Sequence, residues 1–162
     1  MKNPAISIVM GSQSDLATVE PAIDLLRKFK VSFEVKVLSA HRTPKLLEQY
    51  VKAAHRRGTK IFIAAAGGAA ALAGVIASHT ILPVIGIPVE TKSLKGLDSL
   101  LSTVQMPAGV PVASMAIGRA GAKNAAIFSL EILGIKDKGI NAKLSTYKKK
   151  TCCKIKKINI KL

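Results

Sequence analysis

Ile61-Phe62-Ile63-Ala64-Ala65-Ala66-Gly67-Gly68 is six apolar residues in succession, closed by two glycines. A strand with one wet face alternates apolar and polar residues. A strand that is apolar throughout is buried on both faces, which is the signature of a parallel sheet held between layers of helix. Similar short apolar runs lie on either side of it. Ala5-Ile6-Ser7-Ile8-Val9-Met10 ends in Gly11-Ser12, Phe33 to Leu38 reads as a second strand, Pro83 to Pro88 as a fourth and Val112 to Ile117 as a fifth.

Helical spacing fills the intervals. Leu16, Val19, Ile23 and Leu26 recur on one side of a cylinder, with Glu20, Asp24, Arg27 and Lys28 around the rest. Thr43-Pro44 marks a helix start, Thr as N-cap and Pro at the first position, and Gly58 marks its end. Leu46, Leu47, Tyr50, Val51 and Ala54 are the apolar face between them. A small-residue helix is expected over about Ala70 to Ser78, another over Leu97 to Val104, and a last one over Gly121 to Leu133. The expected fold class is α/β: a three-layer α/β/α sandwich with a parallel sheet of about five strands and no internal repeat. One domain is expected over residues 1–147, including the start of a C-terminal helical extension, followed by a basic tail over residues 148–162.

Composition narrows the function classes. Of 162 residues 49% are apolar, yet only 4% are aromatic and none is Trp, so the core is built from Ala, Val, Ile and Leu at close backbone spacing. No signal-peptide pattern opens the chain, and no apolar stretch approaches the roughly 18–20 residues of a membrane span. Cys152 and Cys153 are adjacent, which is neither a disulfide framework nor a metal-ligand spacing, and a cytoplasmic protein is expected. A formal charge of +16 suggests nucleic acid at first sight. However, the ten lysines and one aspartate from Lys136 onward carry +9 of it, leaving +7 for the rest. The tail also lacks the aromatic residues on which bases stack, so a nucleic-acid partner is not expected.

Ligands of open parallel sheets bind where strands end and helices begin, which directs attention to three loops. Met10-Gly11-Ser12-Gln13-Ser14-Asp15 offers a tight turn, two hydroxyls for phosphate oxygens and a carboxylate for ribose hydroxyls. An ordinary Ser/Asp helix cap explains it equally well. Ser39-Ala40-His41-Arg42-Thr43-Pro44 places a hydroxyl, an imidazole and a guanidinium within four residues. Arg holds phosphate through paired hydrogen bonds, and His exchanges protons near neutral pH. The competing account of His41 is a loop histidine bonded to backbone. Ala66-Gly67-Gly68-Ala69-Ala70-Ala71-Leu72 has no side-chain chemistry; it offers main-chain N–H groups, or simply tight packing. His55, in a charged run, and His79, with no acid or Cys beside it, are read as solvated or structural. Without a His/Cys/Asp/Glu cluster no metal is expected.

Taken together, Val9 to Asp15, Ser39 to Pro44, Gly67 to Ala70, Pro83 to Val89, Leu97 to Ser102, Val104 to Pro107 and Ala116 to Ala122 resemble the N5-carboxyaminoimidazole ribonucleotide mutases. These are also described as the class I catalytic subunit of phosphoribosylaminoimidazole carboxylase. The resemblance runs in unbroken order over roughly residues 5 to 135. It implies a flavodoxin-like sandwich assembled as a homo-octamer, and a purine-biosynthetic isomerase acting on a nucleotide monophosphate without metal or organic cofactor. Carried over to this chain, Ser12, Asp15 and Arg42 bind the substrate, and Ser14 and Ser39 complete the phosphate and ribose contacts. His41 is the general acid and base. Gly67, Gly68, Ala69, Ala70 and Leu72 hold the mobile carboxylate or carbon dioxide.

Two departures stand out. The resembled family usually reads Gly-Gly-Ala-Ala-His-Leu-Pro-Gly where this chain has Gly67-Gly68-Ala69-Ala70-Ala71-Leu72-Ala73-Gly74, and the tail beyond Lys148 matches nothing in it. An alternative within the same chemistry is an aminoimidazole ribonucleotide carboxylase that takes carbon dioxide directly; Arg42, where that branch tends to carry Lys, argues for the mutase. An alternative from another class is a basic nucleotide- or RNA-binding protein without activity, which the tail favours and His41 opposes.

Overall fold

The computed structural model describes residues 3–158. Five strands, β1 (Ile6–Met10), β2 (Phe33–Val37), β3 (Ile61–Ala66), β4 (Val84–Pro88) and β5 (Ala113–Ser114), form one sheet in the order β2-β1-β3-β4-β5, every neighbouring pair parallel. Helices α1 (Leu16–Phe29), α2 (Pro44–Arg56), α3 (Leu72–Ser78), α4 (Leu97–Val104) and α5 (Gly118–Gly134) alternate with the strands, and α6 (Lys138–Lys156) follows. This strand order is that of the flavodoxin-like three-layer fold. The chain leaves β1 outward to β2 and then crosses to β3 on the other side. The point of reversal therefore lies between β1 and β3.

The apolar strands are buried on both faces, as their composition requires. Val9, Phe62, Ala64 and Val84 share a core with Leu47, Val51 and Ala54 of α2 and Leu72, Ala73 and Ile76 of α3. On the opposite face Ile6, Ile8, Ile61, Ile63 and Ala65 are equally inaccessible. The register fixes this division, because Ile6, Ile8 and Met10 of β1 stand beside Ile61, Ile63 and Ala65 of β3. The one polar residue of β1, Ser7, is wholly buried and shares a hydrogen bond with the Tyr50 hydroxyl of α2. Gly86 of β4 is needed for close approach: a Cβ there would collide with Thr103 Cγ2 of α4. Small residues thus bring α3 and α4 close to the sheet, as the aromatic-poor composition implied.

The chain forms two compact units, Met1–Ala126 and Ile127–Leu162, and the sheet belongs wholly to the first. β5 is two residues long where six were expected. It pairs with β4 alone, and Pro111, just before it, has no N–H for a ladder. α5 starts at Gly118, three residues earlier than expected. Gly121, read as a helix start, is instead inside the first turn, where any Cβ would collide with the Ala116 carbonyl. α3 starts at Leu72 rather than Ala70. In the second unit, Asp137 caps α6 by accepting from the N–H groups of Gly139 and Ile140 at 2.8 and 3.0 Å. The basic stretch from Lys148 is helical through Lys156, and residues 159–162 of the expected tail lie outside the described residues. The expected C-terminal helical extension therefore continues into the basic stretch, whose lysine density carries no apolar period to mark it.

Candidate active site

Three loops meet at the reversal point, beyond the carboxyl ends of β1, β2 and β3. They enclose a cavity of about 430 Å³. The first loop contributes Gly11, Ser12, Ser14 and Asp15, and the second Ser39, Ala40, His41 and Arg42. Ala66, Gly67, Ala69, Ala71 and Leu72 come from the third. Topology alone brings together residues sixty positions apart.

The first loop folds as a single 3-10 turn, Gln13–Asp15, ahead of α1. Ser12 is extended, and its hydroxyl accepts from the Ser14 N–H at 3.3 Å and the Ser14 hydroxyl at 2.9 Å. Asp15 Oδ2 accepts in return from the Ser12 N–H at 3.0 Å. The helix-cap reading of this loop is therefore realised, and the capping residues also line the cavity. Asp15 is only 7% exposed. Burial pushes its carboxyl above the ordinary value, against the opposing pull of the Ser12 N–H, the Ser14 hydroxyl and the Arg42 guanidinium.

Thr43 sits at the N-cap position of α2 but does not cap it with its side chain. Its hydroxyl turns back, donating to the Ser39 carbonyl and accepting from the Ser39 N–H, both at 3.0 Å. That brace closes the second loop into a compact turn. The Ser39 hydroxyl accepts from the Arg42 N–H at 3.2 Å, and Arg42 Nη2 donates to the Gly11 carbonyl at 2.8 Å, tying the second loop to the first. His41 is exposed at the cavity and makes no hydrogen bond among the described residues, so the backbone-bonded account of it is not what the fold adopts.

The third loop is shaped by its own main chain. Gly68 has a left-handed φ of 67°, the region that favours glycine. The N–H groups of Ala70 and Ala71 donate to the carbonyls of Gly68 and Ala69 at 2.8 and 2.7 Å. Gly67, Ala69 and Leu72 line the cavity, whereas Gly68 and Ala70 do not. The Gly68 N–H is turned to the Ser99 hydroxyl of α4 at 3.0 Å. Sequence reasoning did not find Ser99, since nothing local marks a contact across 31 residues. His55 and His79 are outside the cavity wall, and among the described residues no three His, Cys, Asp or Glu side chains cluster as metal ligands. No helix among the described residues is long and apolar enough to cross a membrane.

A cavity with one acid, one guanidinium, one imidazole and three hydroxyls can orient an anionic, hydroxyl-bearing ligand and exchange protons with it. Known proteins carry the same arrangement of chain. Residues 5–153 match the family described as AIR carboxylase, so the match runs past Lys148 into the stretch that was expected to match nothing in it. The N5-carboxyaminoimidazole ribonucleotide mutase of Vibrio parahaemolyticus is 53% identical over 143 residues, covering 88% of this chain and 89% of the relative. The mutase of Pseudomonas aeruginosa is 56% identical over 131 residues, 81% of this chain and 80% of the relative. Among solved structures, that of Treponema denticola PurE superimposes with a TM-score of 0.85 at 27% identity, over 94% of each chain. With a match over most of its length and relatives of this identity, the chain belongs to the AIR carboxylase family.

Proposed function

We propose that the chain is an isomerase of purine biosynthesis that converts N5-carboxyaminoimidazole ribonucleotide to 4-carboxyaminoimidazole ribonucleotide, with His41 as general acid and base. What carries the reading is the convergence of His41 and Arg42 with the Ser12–Asp15 loop and a third loop of bare main chain around one cavity. The activity printed for the relatives at 53% and 56% identity supports the same reaction.

The chemistry needs one mobile proton and one trapped molecule. His41 donates a proton to the exocyclic nitrogen, and the N–carboxyl bond breaks to release carbon dioxide and a neutral aminoimidazole. The ring carbon, electron-rich in the manner of an enamine, attacks the retained carbon dioxide and forms the new carbon–carbon bond. His41 then removes the hydrogen from that ring carbon, restoring aromaticity and its own starting state. No atom is gained or lost overall. Retention of carbon dioxide makes recapture effectively intramolecular, which supplies much of the rate. Arg42, Ser12 and Ser14 hold the phosphate, Asp15 and Ser39 the ribose, and the loop containing Gly67, Ala69 and Leu72 the migrating carboxylate. No metal or organic cofactor is part of the proposal.

The proposal extends to a homo-octamer in the cytoplasm. Leu97, Leu101 and Val104 recur at i, i+4 and i+7 on α4 and are about half exposed, an apolar face that assembly would cover. Free thiols at Cys152 and Cys153 suit a reducing compartment. A second reading, direct carboxylation of aminoimidazole ribonucleotide by external carbon dioxide, has one observation in its favour. Ala71 brings only a methyl group to the cavity, leaving the grip on carbon dioxide to main chain. The deciding assay supplies purified protein with each substrate in turn while bicarbonate is varied. Turnover of the N-carboxylated nucleotide at a rate independent of bicarbonate supports the isomerase. Turnover of the uncarboxylated nucleotide alone, rising with bicarbonate, supports the carboxylase.

A further inference from the structure

β3 and β4 pair as far as Ala66 and Pro88, and the ladder runs one step further as the Val89 N–H donates to the Ala66 carbonyl at 2.9 Å. In a regular parallel ladder the next bond would join the Gly68 N–H to the Val89 carbonyl. Here the Ser99 hydroxyl is inserted between those two groups. It accepts from the Gly68 N–H at 3.0 Å and donates to the Val89 carbonyl at 2.7 Å. Ser99 has no exposed surface, and it is not in the cavity wall. The insertion is itself held in place. Asp98 Oδ1 accepts from the Ser99 N–H at 3.0 Å and from the Thr91 hydroxyl at 2.9 Å, and the Thr103 hydroxyl donates to the Ser99 carbonyl at 2.7 Å.

We infer that Ser99 is a positioning residue for the reaction: its hydroxyl replaces one rung of the sheet, parts β3 from β4 at their carboxyl ends, and so sets the loop that retains carbon dioxide. The inference rests on the proposed function for what the loop retains, but not for the geometry. A hydroxyl placed between a donor and an acceptor separates them by one extra atom. The strands cannot zip shut, Gly68 stays in its left-handed conformation, and its N–H faces away from the cavity. Gly67, Ala69 and Leu72 line the cavity, and their N–H groups, which have no hydrogen-bond partner among the described residues, are the main-chain donors this loop has left. Gly68 and Ala70 act in this loop as supports, and do not touch the carboxylate.

The test uses Ser99→Ala in the full chain, which deletes the inserted atom and leaves both groups it served. Deuterium exchange of the 66–72 segment, read by mass spectrometry without substrate, should change at least tenfold, slower if the two strands close the missing rung and faster if the loop is left unsupported, and unchanged exchange would overturn the inference. With N-carboxylated substrate labelled in its carboxyl carbon, in excess unlabelled bicarbonate, kcat should fall about tenfold. The label retained per product should fall at least twofold, with KM within twofold of wild type, because the phosphate sits on other loops. A merely structural serine would reduce the amount of active enzyme without changing label retention per turnover; unaltered retention in folded Ser99→Ala therefore refutes positioning. If Ser99→Ala does not fold, Ser99→Cys, of similar volume but much weaker hydrogen bonding, is read the same way. Failure of both to fold would assign the hydroxyl to stability and overturn the inference. Wild-type protein inactive on this substrate would sink the proposed function, while the exchange measurement would still decide the role of Ser99 in the loop.

Discussion

The Ser39–Pro44 loop and the Gly67–Leu72 loop face the same cavity and are held in shape by opposite means. The first is braced from within, by Thr43 on Ser39 and by Ser39 on Arg42, all within five residues. Its side chains are left to act on a ligand. The second has no side-chain donors and is shaped by glycine conformation and by a hydroxyl from α4, thirty-one residues away. One loop brings a guanidinium and an imidazole, and the other brings space and main chain. A single residue change in the first should remove a chemical function, whereas a change in the second should loosen a container.

The largest effect should come from His41, the proposed proton carrier. His41→Asn keeps much of the shape and cannot exchange protons near neutral pH, so kcat should fall by roughly 10²–10⁴ with fold and assembly retained. Steady-state kinetics showing more than about a tenth of wild-type kcat would remove His41 from that role. Arg42→Lys should be the next largest. A point charge loses paired contact with phosphate and the bond to the Gly11 carbonyl, and KM should rise on the order of tenfold. An unchanged KM would make Arg42 a strut between loops and no more.

Asp15 separates binding from stability. Its carboxyl holds a proton more tightly when folded than when unfolded, because burial raises its pKa. That contribution favours the fold below the unfolded pKa and is lost as pH rises through the folded value; at pH 7 the buried charge is a cost. Asp15→Asn should therefore weaken substrate binding several-fold while leaving the melting temperature at pH 7 unchanged or higher, with the difference between the proteins shrinking toward pH 4. A lower melting temperature at pH 7 would show that the capping bond to the Ser12 N–H outweighs burial.

How much of this was legible in the sequence follows the same division. The apolar run Ile61–Ala66 and its neighbours announce a parallel sheet, because burial on both faces leaves no room for polar residues. The chemistry of Ser12, Asp15, His41 and Arg42 is local, and the loops are found by their position after strands. What was not legible depends on distant contacts. Ser99 looks like any serine in a short helix until its hydroxyl is seen between two strands. The direction of the Gly68 N–H is fixed by that contact, so Gly68 and Ala70 could not be told from Gly67 and Ala69. β5 pairs over only two residues, a length that the apolar run Val112 to Ile117 does not betray, and the continuation of the expected C-terminal helix beyond Tyr147 was missed because its lysines carry no apolar period.

The smallest effect should come from the end of the chain. Truncation after Tyr147 removes the Lys148–Glu131 ion pair, an exposed contact of the kind that contributes at most about 1 kcal/mol. Turnover should stay within twofold of the full chain. Tight, salt-resistant and sequence-selective RNA binding by the full chain would contradict a passive role for this helix, since purely electrostatic binding is lost with salt.

The central claim is that the carboxyl group lost by the substrate is the one gained by the product. It is tested most directly by giving the wild-type chain N-carboxylated nucleotide labelled in its carboxyl carbon, in excess unlabelled bicarbonate, and weighing the product by mass spectrometry. The account predicts that most product molecules keep the label, at a rate that does not depend on bicarbonate. Product that has lost nearly all label, formed in proportion to bicarbonate, would contradict it and make external carbon dioxide the substrate.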